Sequence, residues 1–409
     1  MIEIQAFPAS YGESILITLG ENESKKNMLI DTGFASTYNN HIKNKLLELK
    51  KANLALDLLV FTHFDADHIG GGISLLKDNK SNDESKIISI KNIWLNGINK
   101  LDFYSEKQLP LNEKTKKKLK IILEKKYPNE LFTSVLNDVS AEQSLTLSKL
   151  ISDGGYNINK EMVEFSRSKC FNLDEYIKIK VLSPTKGKIE NLKKLWIEEL
   201  IKMGVDEELN SNEEVNEAFE KIMINIVDLV KKKKLNNCST SEDIIEKIII
   251  NDRFYEDESQ VNGSSIAFTI ECEGKKMLFL GDSHSDTIEK YIESILLSTK
   301  EKKLKFDLVK ISHHGSGYNT STKLLELIDC DNFLICTNGK KFSHPDEETL
   351  ARIINSNEGK HKKIYLNYKT QSVKKFINNK LMKKYNYSIE FTNDINISNK
   401  KCKTTNIVL

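Results

Sequence analysis

Apolar and polar positions alternate in short runs at the two ends of the chain and change to helical spacing in the middle. Ile2 to Phe7 alternates with period two, and Ser14 to Leu19 is a β-branched run. Asn27 to Ile30 is apolar and leads into the turn signal Asp31-Thr32-Gly33. These segments predict strands. His41 to Lys51 has the spacing of an amphipathic helix, and Leu54 to Thr62 is a continuous apolar run of the buried-strand kind. A polar loop rich in His and Asp follows at once. A strand that ends in such a loop is where α/β architectures place their sites. Lys91 to Leu95 predicts one more short strand.

The pattern then changes. Residues 98–175 carry Lys, Glu and Leu at helical spacing, with a helix start at Asn112-Glu113-Lys114-Thr115. Tyr176 to Ser183 alternates as a strand, and residues 187–255 are helical again. Strands return at Ser265 to Cys272, Lys276 to Leu280, Phe306 to Ile311 and Asn332 to Cys336. Glu347 to Ile354 is helical, and the tail holds strands at Lys363 to Leu366 and Tyr387 to Phe391. The organisation predicted is one α/β core interrupted twice. Residues 1–97 form its first half, 98–175 a helical insertion, 176–186 a core strand, 187–255 a second helical insertion, and 256–409 its second half.

Composition narrows this picture. With 61 Lys+Arg against 59 Asp+Glu among 409 residues, the net charge of +2 excludes a uniformly basic nucleic-acid coat. No apolar run is long enough for a membrane span, and the N-terminus has no secretory pattern. The six cysteines form no C-x-x-C pair, which argues against a disulfide framework or a Cys-rich zinc site and points to a reducing, cytoplasmic compartment.

The chemistry concentrates after the buried strand, in Thr62-His63-Phe64-Asp65-Ala66-Asp67-His68-Ile69-Gly70-Gly71-Gly72. Four metal-ligand side chains fall within six residues, a density that suits a divalent cation. In an extended loop, positions 63, 65 and 67 project to one side, and His68 sits where a helix begins. Three later segments repeat the pattern of strand and polar cluster: Gly281-Asp282-Ser283-His284, Ser312-His313-His314-Gly315-Ser316 and Ser343-His344-Pro345-Asp346. Six of the chain's eight histidines lie in these four segments, far from random scatter.

In order and spacing, these motifs resemble the metallo-β-lactamase fold. The nearest likeness is to the hydrolase domain of ComEC-type competence proteins, which also has Asp at the second ligand position. Leu182-Ser183-Pro184 and Asn262-Gly263-Ser264-Ser265 match that branch as well. The resemblance implies an α/β fold, a four-layer αβ/βα sandwich with two mostly helical insertions. It implies one or two divalent ions, Zn²⁺, Mn²⁺ or Mg²⁺, held by His63, Asp65, Asp67, His68, Asp282 and His313. His313 is preferred to His314 because it directly follows its strand. Asp31 is either an orienting carboxylate or a plain strand-end turn. No His stands in Leu182-Ser183-Pro184-Thr185, where many members have one, and Asp65 replaces another. An oxygen-rich site of this kind is weaker for Zn²⁺ and more hospitable to Mn²⁺ or Mg²⁺.

Hydrolysis by a metal-activated water is the expected reaction. Asp67 and His344 are the catalytic candidates, and His314, Ser316 and Asn319 the candidate substrate contacts. A phosphodiester in DNA or RNA is the leading substrate, and a bacterial defence system is the setting that the resemblance suggests. The alternatives are a small-molecule hydrolase, for example of a cyclic nucleotide, and an effector subunit regulated by a protein partner bound through the insertions. The basic stretches Lys114–Lys126 and Lys231–Lys234 are solvated helix faces or backbone contacts.

Overall fold

The computed structural model describes residues 1–21, 25–96, 147–202, 243–391 and 405–409. The expected helix start at 112–115 and both basic stretches lie outside the described residues.

Two sheets face each other. The first has six strands: β1 (Ile2–Ala6), β2 (Ile15–Leu19), β3 (Lys26–Ile30), β4 (Leu58–Val60), β5 (Ile93–Trp94) and β16 (Thr405–Val408), in the order β16-β1-β2-β3-β4-β5. The second has eight: β6 (Phe171–Asn172), β7 (Lys178–Ser183), β8 (Ala267–Cys272), β9 (Lys275–Phe279), β11 (Leu308–Lys310), β13 (Asn332–Ile335), β14 (Lys362–Leu366) and β15 (Tyr387–Phe391). Their order is β15-β14-β13-β11-β9-β8-β7-β6. The period of two assigns each face. Ile2, Ile4, Ile15, Ile17, Leu58 and Val60 point between the sheets and meet Phe268, Ile270, Met277, Phe279, Leu308 and Leu334.

The opposite faces carry helices. Leu16, Leu29, Leu59 and Phe61 pack under the helices Lys43–Lys51 and Ala66–Asn79 through Leu46, Leu49, Ile69, Ile73 and Leu76. Leu278, Val309, Phe333, Ile335 and Ile364 pack under the helices Ser285–Thr299 and Glu347–Asn355 through Ile288, Ile292, Leu350 and Ile353. This is the expected αβ/βα sandwich. A strand buried on both faces is apolar on both, which is why β4 reads as a continuous run rather than an alternation. Among the described residues, no helix is long and apolar enough to cross a membrane.

Several expectations need correction. The run Phe306 to Ile311 is two strands, not one. β10 (Leu304–Phe306) pairs with β12 (Ile328–Cys330) in a separate ribbon, and β11 belongs to the large sheet. Asp307 makes the break: its carboxylate accepts the Lys276 N–H at 2.8 Å. The run Leu54 to Thr62 shortens to three ladder residues, since the Asp57 carboxylate accepts the Asn27 N–H at 2.9 Å just before the ladder begins. Of the first insertion, only residues 147–153 among those described are helical. Residues 154–177 are mostly irregular, and Val163 and Ile177 enter the core between the sheets. The C-terminal strand β16 is also new, and it pairs antiparallel with β1.

The sheets are tied together by one buried ion pair. Leu308 faces inward and Val309 outward, so Lys310 faces inward again. Its ammonium pairs with the Glu13 carboxylate of the first half and donates to the Gly281 carbonyl at 3.1 Å. The Glu13 backbone N–H donates to the Asp67 carbonyl at 3.1 Å. Burial alone would neutralise the lysine, but Glu13 and Asp282 hold its pKa above the usual value. Breaking a buried pair leaves an uncompensated charge, so Lys310→Met should cost about 3–5 kcal/mol in urea unfolding at neutral pH. Adding Glu13→Gln should recover a large part of that loss; strictly additive losses would show that the two groups do not act as a pair.

Candidate metal centre

The C-terminal ends of β4, β9 and β11 converge between the sheets, and each delivers side chains to one point. After β4 the chain stays extended through His63. Asp65 is the residue that opens the helix Ala66–Asn79, so Asp67 lies in its first turn. This corrects the expectation of an extended loop in which 63, 65 and 67 alternate: the helix begins two residues sooner. The glycine run explains how that helix fits. A side chain at Gly71 would run into the Thr32 carbonyl, and one at Gly72 into the Phe61 ring. With glycines there, the helix lies against the Asp31–Gly33 turn, and Thr32 N–H donates to the His68 carbonyl at 2.7 Å.

Asp31 orients rather than merely turning the chain. It is fully buried at a positive φ of 52°. Its Oδ2 accepts from His68 Nδ1 at 2.8 Å and from the Thr62 hydroxyl at 2.7 Å, and its Oδ1 accepts the Thr62 N–H at 2.8 Å. The Thr62 hydrogen is therefore committed to Asp31, and the His63 Nδ1–H, 3.0 Å away, donates to the Thr62 oxygen. His314 Nδ1 donates to the Cys336 carbonyl at 2.9 Å, and His313 Nδ1 to the Asn319 side-chain oxygen at 2.9 Å. In all four imidazoles the outer nitrogen has an acceptor for its proton, so the neutral ring turns the Nε2 lone pair inward, the arrangement that metal-binding histidines use.

Those four Nε2 atoms surround one carboxylate. Asp282 Oδ2 is 3.7 Å from His63 and His68 and 3.8 Å from His313 and His314. His63 Nε2 also stands 3.5 Å from Asp65, and His314 Nε2 3.6 Å from Asp67. These separations are too long for good hydrogen bonds. They match donors that share an ion: with bonds of about 2.1 Å, two tetrahedral ligands lie roughly 3.4 Å apart. Nε2 of His63, His68 and His314, together with Asp282 Oδ1, is buried without a hydrogen-bond partner. Orphaned buried polar atoms are costly, and here they converge. Two groups have donor atoms close enough for one ion each: His63, His68 and Asp282, and Asp67, His68 and His314. The residues present therefore fit a divalent metal.

Electrostatics agree. Burial drives the Asp282 carboxyl up, but the surrounding imidazoles hold it well below the usual carboxylate range. Burial acts likewise on Asp67, and the His314 hydrogen bond with the His68 charge brings it down to about 2.

The two adjacent histidines part company. His313 and His314 both have positive φ, 45° and 55°, a costly backbone for non-glycine residues. His314 is buried beside Asp67, in the place expected for His313. His313 lies at the margin, its side chain 17% exposed, with Nδ1 3.5 Å from the Asp257 carboxylate. Asn262 and Asn319 donate to that carboxylate at 2.7 and 2.9 Å. Despite burial, these bonds and His313 hold Asp257 well below its usual range. His344 stands beside His313, ring centroids 5.5 Å apart, with Nδ1 3.2 Å from Asp346.

Ser316 and Asn319, expected to touch substrate, are completely buried. Ser316 Oγ accepts the Tyr318 N–H at 3.3 Å, and Asn319 supports His313, so both shape the loop from within. His284 also points elsewhere: its Nε2–H donates to the Ser259 carbonyl at 2.8 Å. With Glu256 and Asp286 it forms a third ligand-like cluster, but Lys188 Nζ already sits there, 2.7 Å from His284 Nδ1 and 3.1 Å from Asp286.

The sequence reading missed Glu13, Asp257 and Lys310, and it read Asn262 only as part of a motif. Lys310 had a signal, a cation inside the apolar run FDLVKI. The others sit in loops of ordinary polarity and gain meaning only from what folds against them.

Compared with curated proteins, the chain matches none. Its first part does match a family: residues 9–81, which carry Glu13, Asp31 and the whole of the His63–His68 block, fit the family model of the metallo-beta-lactamase superfamily.

Proposed function

We propose that this chain is a metal-dependent hydrolase, and that a phosphodiester of a nucleic acid or nucleotide is the bond it cleaves. The observation that carries the reading is the convergence of inner imidazole nitrogens, buried and without partners, on Asp282. His63, Asp65 and Asp282 would hold one divalent ion, and Asp67, His68 and His314 a second, with Asp282 shared. A metal bound there lowers the pKa of a water toward neutrality and polarises a phosphoryl oxygen. Three carboxylates among these six donors favour a hard ion and a hard phosphate oxygen over softer partners.

The chain's own groups do the remaining work. Asp31 fixes the His68 ring through Nδ1, and the Cys336 carbonyl fixes the His314 ring. His313 is the imidazole kept at the margin of the cluster, with a buried carboxylate behind it. Asp257 stabilises its protonated form, so His313 can hold a proton at Nε2 for the departing oxygen. His344 assists from beside it. The motif likeness to ComEC-type hydrolase domains supports a nucleic-acid substrate. A small ester is the competing substrate, although the recess beside His63, lined by Phe64, Asn96, Met162, Ile189 and Leu192, has room for little more than a water.

A substrate panel separates these readings. Single- and double-stranded DNA, RNA, cyclic nucleotides and carboxylic esters are each offered with Mn²⁺, Mg²⁺ and Zn²⁺. Phosphodiester cleavage that disappears in Asp67→Ala/His68→Ala, together with bound metal measured by mass spectrometry, is the expected result. Cleavage of carboxylic esters alone would overturn the phosphodiester reading, and unchanged metal content in the double variant would overturn the site. The adjacent histidines should behave differently. His314→Gln should lose metal, whereas His313→Gln should keep it and lose about 10²–10⁴ in turnover. The opposite pattern would restore His313 as the ligand. Asp31→Asn should weaken metal affinity by about 10–100-fold in chelator competition while leaving the far-ultraviolet spectrum unchanged.

A further inference from the structure

A group of aromatic rings and a lysine lies at the rim of the metal cluster, and neither the core nor the cluster needs it. Tyr11 packs edge-on against Phe34, centroids 4.8 Å apart, and against Phe342, 6.2 Å apart. The Lys341 ammonium lies 5.1 Å from the Tyr11 ring centre and 4.9 Å from that of Phe342. Phe342 is 40% exposed, an unusual position for a ring that only fills space. On its other side it is 6.0 Å from the His344 ring, which in turn adjoins His313. Tyr11 is equally close to the chemistry. The next residue, Gly12, packs directly on the backbone of Asp67, where a side chain would not fit.

The platform is held rigid across the seam between the two halves. Ser10 N–H donates to the Tyr368 hydroxyl at 3.0 Å, and the Ser10 carbonyl accepts the Asn338 N–H at 2.8 Å. Asn338 Nδ2 donates to the Ser10 hydroxyl at 2.7 Å. The loop before β2 and the loop after β13 are therefore locked together, with a ring from each at the surface. An exposed ring and a half-buried one beside a lysine, next to the proposed centre for phosphoryl chemistry, are the parts from which single-strand binding sites are made. Bases stack on the rings and the cation meets the backbone.

We propose that Tyr11, Phe342 and Lys341 form a subsite for an unpaired nucleobase and its adjoining phosphate, so that the substrate enters as a single strand or as a free nucleotide. This rests on the phosphodiesterase reading of the metal cluster, but its test does not require turnover. Binding of a fluorescently labelled ten-nucleotide thymidine strand, and of the same backbone without bases, is followed by anisotropy with divalent ions removed.

The wild-type protein should prefer the base-bearing strand. Phe342→Ala and Tyr11→Ala should each weaken that strand by about tenfold or more and leave the abasic strand unchanged. Phe342→Trp should keep the preference, which guards against a variant that merely misfolds. Lys341→Ala should weaken both strands and reduce the salt slope by about 0.7. Competition by thymidine 5′-monophosphate tells a free nucleotide from a strand, and either source supports the subsite. Equal affinity of the wild type for the two strands, or equal losses in the aromatic variants, would overturn it. Base-selective binding without hydrolysis of any phosphodiester would leave the subsite standing and remove the phosphodiesterase reading. Hydrolysis with base-independent binding would do the reverse.

Discussion

Asp282 is a carboxylate withdrawn from water, 2% exposed, with one oxygen lacking any hydrogen-bond partner and the other facing four imidazole nitrogens. A protein interior does not tolerate that arrangement without compensation. Its chain neighbours show how much of the molecule is devoted to keeping it. Ser265 Oγ accepts the Asp282 N–H at 3.0 Å, Lys310 grips the preceding carbonyl, and Asn319 donates to the Asp282 carbonyl at 3.3 Å. Each of these supports comes from a different part of the second half of the chain. The first half supplies two of the facing histidines, His63 and His68, and the second half the other two, His313 and His314. The two sheets are thus brought to a single distance by the need to close around one cation-hungry point, and the apolar layer between them fills the space which that distance leaves.

The outer arrangement is equally purposeful. Each inner nitrogen can accept a metal only if its ring's other nitrogen has somewhere to place a proton. Asp31, the Thr62 hydroxyl, the Cys336 carbonyl and Asn319 provide those places by four different chemistries. Three are charge-neutral; among the rings buried in the cluster, His68 alone hydrogen-bonds a carboxylate through its outer nitrogen, while the Glu13 carboxylate stands 3.9 Å from that of His314. The His68 pKa is raised well above its usual value, because Asp31 and Asp282 together outweigh burial. At the margin, His313 has the Asp257 carboxylate 3.5 Å from its Nδ1.

Much of this was legible in the sequence, for a physical reason. Ligands placed directly after strands inherit the strand's direction, so the apolar runs before Thr62, Gly281 and Ser312 already indicated that their loops meet at one rim. Layering was legible for the same reason, since period two and period 3.6 encode which face is buried. The preference for His313 over His314 assumed that the strand's direction carries on, whereas both residues adopt a left-handed backbone that no local pattern announces. Nor could the role of Asn319 be read: its amide looked like a substrate contact until Asp257, 62 positions away, was seen to claim it. The recruitment of Lys188 to the His284 cluster had the same character, an encounter between distant segments that leaves no mark on either.

The paired left-handed histidines have a further consequence. Two successive residues with side chains hold a conformation that glycine would adopt freely, at a cost of order 1–3 kcal/mol each. Glycine at either position would relieve that tension but remove a ring that faces Asp282, so the dipeptide concentrates its backbone cost at the very point where two imidazoles reach the cluster.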